Sequence, residues 1–219
     1  MIDICIPTYN DAKELRDTLI MFQNQTYKDY EIYVADYDPE GNRETMNVAL
    51  EYNANVIIVD KKGIGYARHL ATIYGNNSII LNWDADARFT RDTDLEYCLD
   101  YMISNDLDLA HIIHRWRKGS FNVLDFQEIG WQIMNYPRNF LPLTFTPGLF
   151  IKRDVYNELN GFKDIKQWED VELGLNAFFH NKKISIIPNV HIEVSARRVK
   201  ALDFDYDHAI RDGKRYIIS

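Results

Sequence analysis

The sequence predicts an α/β protein with a mostly parallel central sheet and helices on both faces. Two observations carry this. Short apolar runs alternate with segments whose apolar residues recur at helical spacing, and the alternation persists through the first half of the chain. Three of the apolar runs end in aspartate, at Asp36, Asp60 and Asp84. In an open parallel sheet that pattern gathers carboxylates at the edge where the strands end.

The elements follow in order. Ile2–Pro7 is an Ile-rich first strand. Ala12, Leu15, Leu19 and Phe22 then mark one face of a helix, with Asp11 and Glu14 spaced as a capping box. Glu31–Ala35 is the second strand, and Met46, Ala49 and Leu50 mark the second helix. Asn55–Val59 is the third strand, followed by a helical face of Ala67, Leu70, Ala71 and Tyr74. Ser78–Trp83 is the fourth strand, Leu95, Cys98, Leu99 and Met102 the fourth helix, and Leu107–Ile113 the fifth strand. Strands joined by helices in this way pair in parallel. The second half is less regular. Residues 114–145 are rich in aromatics, among them Trp116, Phe121, Phe126, Trp131, Tyr136, Phe140 and Phe145. Thr146–Lys152 reads as a strand, Val171, Leu175, Phe178 and Phe179 as a helix face, and Ile184–Ile187 as a short strand. With no repeat or linker, the expectation is one domain over 1–219.

Composition narrows the function classes. The 219 residues are 46% apolar, 26% charged and 13% aromatic, the balance of a folded chain. A chain of this length buries roughly 70% of its unfolded surface without disulfides or zinc. Ten glycines and six prolines exclude collagen-like and linker-like chains. A net charge of −8 argues against nucleic acid as the main partner, because phosphate backbones are bound through basic patches. Cys5 and Cys98 form no CxxC and sit among apolar residues, so both read as buried small hydrophobes. With no basic n-region at the N-terminus, these features lead to the expectation of a cytoplasmic protein. No apolar run reaches the roughly eighteen residues of a membrane span. Peripheral membrane contact stays open.

Asp84 stands out among the strand-terminal aspartates because Asp86 follows it. DxD spacing alone carries little weight, since it recurs at Asp36/Asp38, Asp92/Asp94, Asp106/Asp108, Asp203/Asp205 and Asp205/Asp207. Of these pairs only Asp84/Asp86 both follows an apolar run and stands before Ala, as two short carboxylates leaving a sheet would. Two short carboxylates there suit a hard divalent cation, Mg²⁺ or Mn²⁺, whose shell diphosphate oxygens and water would complete. The competing reading is that aspartate favours turns and helix caps, which also follow strands.

Further segments then fall into a familiar order. Ile4-Cys5-Ile6-Pro7-Thr8-Tyr9-Asn10 opens the chain, and Gln25-Thr26-Tyr27 with Tyr30-Glu31-Ile32-Tyr33-Val34-Ala35-Asp36 follows. Gly63-Ile64-Gly65-Tyr66-Ala67-Arg68-His69, Asp84-Ala85-Asp86, Gly148 through Arg153, Leu159-Asn160-Gly161-Phe162 and Trp168-Glu169-Asp170 complete the series. Over roughly residues 1–195 the chain resembles glycosyltransferase family 2, nucleotide-sugar enzymes of the GT-A (Rossmann-like) three-layer fold.

The resemblance implies roles position by position. Residues 1–114 would bind the nucleotide sugar, and 115–219 the acceptor. Pro7, Thr8 and Tyr9 would wrap the nucleotide base. Asp36 lies where the family carries an acidic pair contacting uracil; here Tyr37 holds the second position and Asp38 follows. Arg68 would reach the base or diphosphate, and His69 replaces the usual Asn. Asp84 would face the ribose and share a metal whose main ligand is Asp86, with His191 as a further ligand. Arg197 and Arg198 would close over the diphosphate, or else form a solvated basic run. Glu169 and Asp170 would be the catalytic pair, Asp170 the base; acids at a helix start also simply complement its dipole. The implied donor is a nucleotide-diphospho-sugar, UDP-sugar favoured, and the acceptor a glycan, lipid-linked or small molecule.

The chemistry this implies is a metal-assisted displacement with one carboxylate base, inverting in outcome, although metal motifs do not report stereochemistry. Two other classes were weighed. A nucleotidyltransferase would carry a Gly-rich phosphate loop after the first strand, and Thr8-Tyr9-Asn10-Asp11-Ala12 has no glycine. A non-catalytic nucleotide-sugar or glycan-binding protein could keep the same fold, because fold alone never fixes function.

Overall fold

The computed structural model describes residues 1–117, 144–165 and 168–195. Strands β1 (Ile2–Thr8), β2 (Tyr30–Asp36), β3 (Asn55–Ile58), β4 (Ile79–Asn82), β5 (Ala87–Phe89), β6 (Leu109–Trp116), β7 (Leu149–Lys152) and β8 (Ile184–Val194) form one sheet in the order β3-β2-β1-β4-β7-β6-β8-β5. Helices α1 (Ala12–Asn24), α2 (Glu44–Glu51), α3 (Ile64–Tyr74), α4 (Asp94–Ser104), α5 (Arg153–Glu158) and α6 (Glu169–Phe179) pack around it.

The first half has the expected parallel geometry. β1 pairs in parallel with β2 and β4, and β2 with β3. β7 then runs antiparallel between β4 and β6, and β6 pairs in parallel with β8. β6 therefore regains the direction of β4. The carboxyl ends of β1, β2, β4 and β6 and the amino end of β7 share one edge. Because Asn82 pairs with Leu149, residues 83–86 emerge beside residues 146–148.

Alternation along β1 explains the two apolar layers. Ile4 and Ile6 join Leu15, Leu19, Phe22, Trp83 and Leu99 in one core. Cys5, on the opposite face, joins Ala67, Ala71, Val155 and Leu173 in the other. Both cysteines are buried, as their surroundings in sequence implied.

The departures from expectation have local causes. Asp11 makes no side-chain cap, because Glu14 is drawn instead to Arg88, at 2.9 Å. Leu50 and Tyr74 lie on exposed sides of their helices. α6 buries Leu173, Gly174 and Ala177, leaving Phe178 and Phe179 exposed. The small residue sets that face: a Cβ on Gly174 would stand 2.9 Å from the Thr144 backbone nitrogen, so only glycine lets the helix approach. β5 has three residues, too few to carry a period. β8 runs on to Val194 because the pairing with β6 resumes after a bulge, His111 facing Ile186 and Ile113 facing His191. Pro188 and left-handed Asn189 (φ 62°) lie in that bulge, which is why a strand end was read there.

Candidate active site

The turn after β4 is held from behind. Thr18 donates its hydroxyl to the Ala85 carbonyl at 2.6 Å. Arg88 donates to the carbonyls of Ala85 (2.9 Å) and Ala87 (2.7 Å), and Arg117 to that of Asp86 (2.5 Å). Glu14 Oε2 accepts from both arginines, at 2.9 and 3.4 Å. These bonds engage the carbonyls of Ala85, Asp86 and Ala87 and fix the backbone of the turn that carries Asp84 and Asp86. Neither Glu14 nor the two arginines was singled out for this task in the sequence.

Arg68 lies within the site rather than at its mouth. The side chain is 1% exposed. Its Nη1 donates to Asp84 Oδ1 at 3.0 Å and its Nε to Glu169 Oε1 at 3.3 Å, with the Phe162 ring 5.9 Å away. Arg68 thus forms a strut between the DXD turn and the first turn of α6. Burial alone would lower the Arg68 pKa, but Asp84, Glu169 and Asp170 hold it above its ordinary value. Burial raises the pKa of Glu169, and Arg68 opposes that rise. His69, where the family has Asn, takes a structural contact: Nδ1 lies 2.9 Å from the Tyr156 hydroxyl.

The Asp170 carboxylate is anchored by three donors, and the residue's backbone carbonyl accepts from the Thr144 hydroxyl at 2.5 Å. Its Oδ2 accepts from the Thr146 backbone N–H (2.8 Å) and hydroxyl (2.9 Å), and its Oδ1 from the Val171 N–H (2.8 Å). The last bond is the helix-start contact expected of any acid there. The Thr146 bonds are additional and tie the carboxylate to the loop entering β7. His114, near the end of β6, has Nε2 2.6 Å from the Pro147 carbonyl of the same loop. Burial lowers its pKa, while the Pro147 carbonyl, Asp84 and Asp170 pull the other way. His114 and Thr146 were missed in the sequence. The signal was their place in the chain: His114 lies two residues before the end of β6 and Thr146 three before the start of β7, on the edge that carries Asp84.

At the far end of this edge, buried Thr8 donates its hydroxyl to Asp36 Oδ1 at 2.9 Å. Asp36 is 1% exposed, and among the described residues its Oδ2 has no hydrogen-bond partner. Burial pushes its pKa up to about 6. A raised pKa means the folded state binds the proton more tightly than the unfolded chain. The contribution of Asp36 is thus favourable at low pH and is lost as pH rises through about 6. Asp36→Asn is expected to stabilise the protein by about 1–3 kcal/mol at pH 8 and by almost nothing at pH 4. Urea denaturation at the two pH values checks this.

Tyr9 is exposed, its ring 5.6 Å from that of Tyr37 and 5.0 Å from the Lys62 ammonium, and Pro7 is half-buried beside it in β1. Asp38 is committed elsewhere. Its carboxylate accepts the N–H groups of Gly41 (2.9 Å) and Arg43 (2.8 Å), which build the following turn and lower its pKa. Its charge also acts on Asp36, whose pKa it helps to raise.

His191 sits within β8 opposite Ile113, and the charges acting on it are Arg115, Glu193, Asp94 and Arg91. Among the described residues no three His, Cys, Asp or Glu side chains converge as a metal cage. Asp84 and Asp86 alone fit a hard cation, provided its remaining oxygen ligands come from a bound diphosphate and water. Arg197, Arg198 and the aromatics from Phe121 to Phe140 lie outside the described residues. Phe145 is buried against His111, at a ring separation of 6.5 Å.

Comparison with known proteins accords with this geometry. No curated protein matches the chain. Among solved structures, Staphylococcus aureus TarS superposes with a TM-score of 0.71 at 17% identity, over 89% of this chain and 36% of that one. TarS 1-349 in complex with UDP-GlcNAc gives 0.71 at 18%, over 89% and 58%. The Pyrobaculum calidifontis mannosyltransferase PcManGT, in complex with GDP-Man and Mn²⁺, gives 0.71 at 17%, over 88% and 56%. The chain spans between about a third and three fifths of the length of these proteins. Among the described residues no helix is long and apolar enough to cross a membrane. The fold is that of the GT-A glycosyltransferases. The family model for glycosyl transferase family 2 matches residues 3–157, most of the chain, and the chain belongs to that family.

Proposed function

We propose that the chain transfers a sugar from a nucleotide-diphospho-sugar, most simply a UDP-sugar, to an acceptor hydroxyl, with a divalent cation and with inversion. The observation that carries this reading is the strut: Arg68 binds Asp84 and Glu169 at once, so the donor-side DXD turn and the Asp170 carboxylate form one rigid constellation. The nucleotide complexes of the structural neighbours support the donor class.

Thr8, Asp36 and Tyr9 line the end of the site where the base would lie. Asp84 and Asp86 would hold Mn²⁺ or Mg²⁺. That ion would supply positive charge to the leaving diphosphate without any proton transfer. Asp170 takes the proton of the attacking hydroxyl. An ionised carboxylate offers about four acceptor positions, and the bonds from Thr146 and Val171 occupy three. One remains for the acceptor hydroxyl. Glu169 keeps the strut in place beside the base. Residues 1–114 form the donor side of this reading and 115–219 the acceptor side.

The test is a thermal-shift panel of UDP, GDP, TDP and CMP, each with Mn²⁺ and with a chelator. A ligand bound only by the folded state raises its stability with the logarithm of occupancy. UDP with Mn²⁺ is expected to raise Tm by several degrees, and UDP with chelator by less than one. No shift with any nucleotide would favour a non-catalytic glycan-binding domain.

A further inference from the structure

The loop that grips Asp170 is itself gripped. His114 faces the Pro147 carbonyl through Nε2 at 2.6 Å. A carbonyl only accepts, so Nε2 carries the hydrogen and donates. Pro147 follows Thr146, whose N–H and hydroxyl both end on Asp170 Oδ2. The sheet makes the contact possible: Ile112 donates its N–H to the Gly148 carbonyl, which sets the next inward residue of β6, His114, against the start of β7.

We infer that His114 is a positioning residue for the catalytic base, holding the Thr146–Pro147 loop so that two donors orient the Asp170 carboxylate toward the acceptor. This rests on the reading of Asp170 as the base. The physical case is one of degrees of freedom. A carboxylate held only by its own helix can rotate about its terminal bond, because such sp³–sp² torsions are broad. The two Thr146 bonds remove that rotation, but only if the loop that supplies them is fixed. The Gly148 N–H anchors one side of the loop on the Asn82 carbonyl; Pro147 has no N–H, so its carbonyl is the handle nearest Thr146, and the half-buried His114 imidazole takes it. Misplacing a base by about 1 Å costs on the order of 100-fold in rate.

The test compares steady-state release of UDP from UDP-GlcNAc, with Mn²⁺ and with water as the acceptor, in five proteins: wild type, His114→Leu, His114→Gln, Asp170→Asn and the double variant His114→Leu/Asp170→Asn. A Gln amide nitrogen reaches the place of His Nε2 and keeps the donor. The expected result is a kcat at least tenfold lower in His114→Leu with KM within about twofold, recovery of most of kcat in His114→Gln, and no further loss in the double variant over Asp170→Asn. If Asp170→Asn is inactive while His114→Leu retains wild-type kcat, the positioning role is overturned and the base stands. If Asp170→Asn itself retains turnover, the base reading fails and the positioning role with it. A crystal structure of His114→Leu gives a readout independent of turnover. The Thr146–Asp170 pair is expected to open beyond hydrogen-bond distance, and a pair unchanged at 2.8–2.9 Å would overturn the inference.

Discussion

Asp170→Asn is expected to lower sugar transfer by about 10³-fold while leaving UDP affinity within about twofold. The reasoning starts from the acceptor. A hydroxyl is a weak nucleophile until its proton leaves as it attacks, and an amide cannot take that proton. Asp170 contacts Thr146 and Val171 rather than the base-end residues Thr8 and Asp36, so nucleotide binding has no reason to change. The variant carries a stability cost as well. Both carboxylate oxygens accept N–H donors, so an amide nitrogen at either place faces a donor, a mismatch worth about 1–3 kcal/mol. Calorimetric titration with UDP separates the two effects, since a merely unfolded variant would bind nothing. Turnover within threefold of wild type would remove Asp170 from the mechanism.

The second large effect is on stability. Arg68→Met is expected to cost about 3–5 kcal/mol at pH 7.5, because it strands Asp84 and Glu169 without their shared cation. Methionine is chosen to fill the space beside Phe162, so that the loss reports charge rather than a cavity. The pH dependence carries the sign of the argument. Without Arg68 the Glu169 pKa, already raised by burial, rises further. The penalty then stands at neutral pH and shrinks as pH falls toward the ordinary carboxylate range, where both states take up the proton. Urea denaturation of both proteins at pH 7.5 and pH 4.5 measures it. A loss below about 1 kcal/mol at pH 7.5 would mean that water already solvates the pair.

The parts of this molecule that could be read in the sequence are those governed by short-range rules. Alternation and helical spacing placed β1 to β4 and α1 to α4 within a few residues. The parts that could not are those where tertiary contact overrides local pattern. Phe178 and Phe179 look like a core face, yet Gly174 determines how α6 docks. His191 was implied as a metal ligand by the resemblance, and the bulge at Pro188 and Asn189 hid the fact that β8 continues through it. Arg68 and Asp38 were recognisable as charged residues near the site, but their partners within the protein, two carboxylates for Arg68 and turn N–H groups for Asp38, are set by contacts that the sequence does not print. The insertion of β7 between β4 and β6 carries no sequence signal, and it is what brings Thr146, His114 and Asp84 to one edge.

The central claim is that the carboxylates of the β4 turn hold the cation through which a nucleoside diphosphate is bound. Calorimetric titration of UDP into wild type and Asp86→Ala, each with Mn²⁺ and with chelator, tests it directly. The account predicts measurable affinity only for wild type with Mn²⁺, and an Asp86→Ala protein that melts within a few degrees of wild type but binds at least 100-fold more weakly. Equal UDP affinity in Asp86→Ala, or affinity in wild type that is indifferent to chelator, would contradict it.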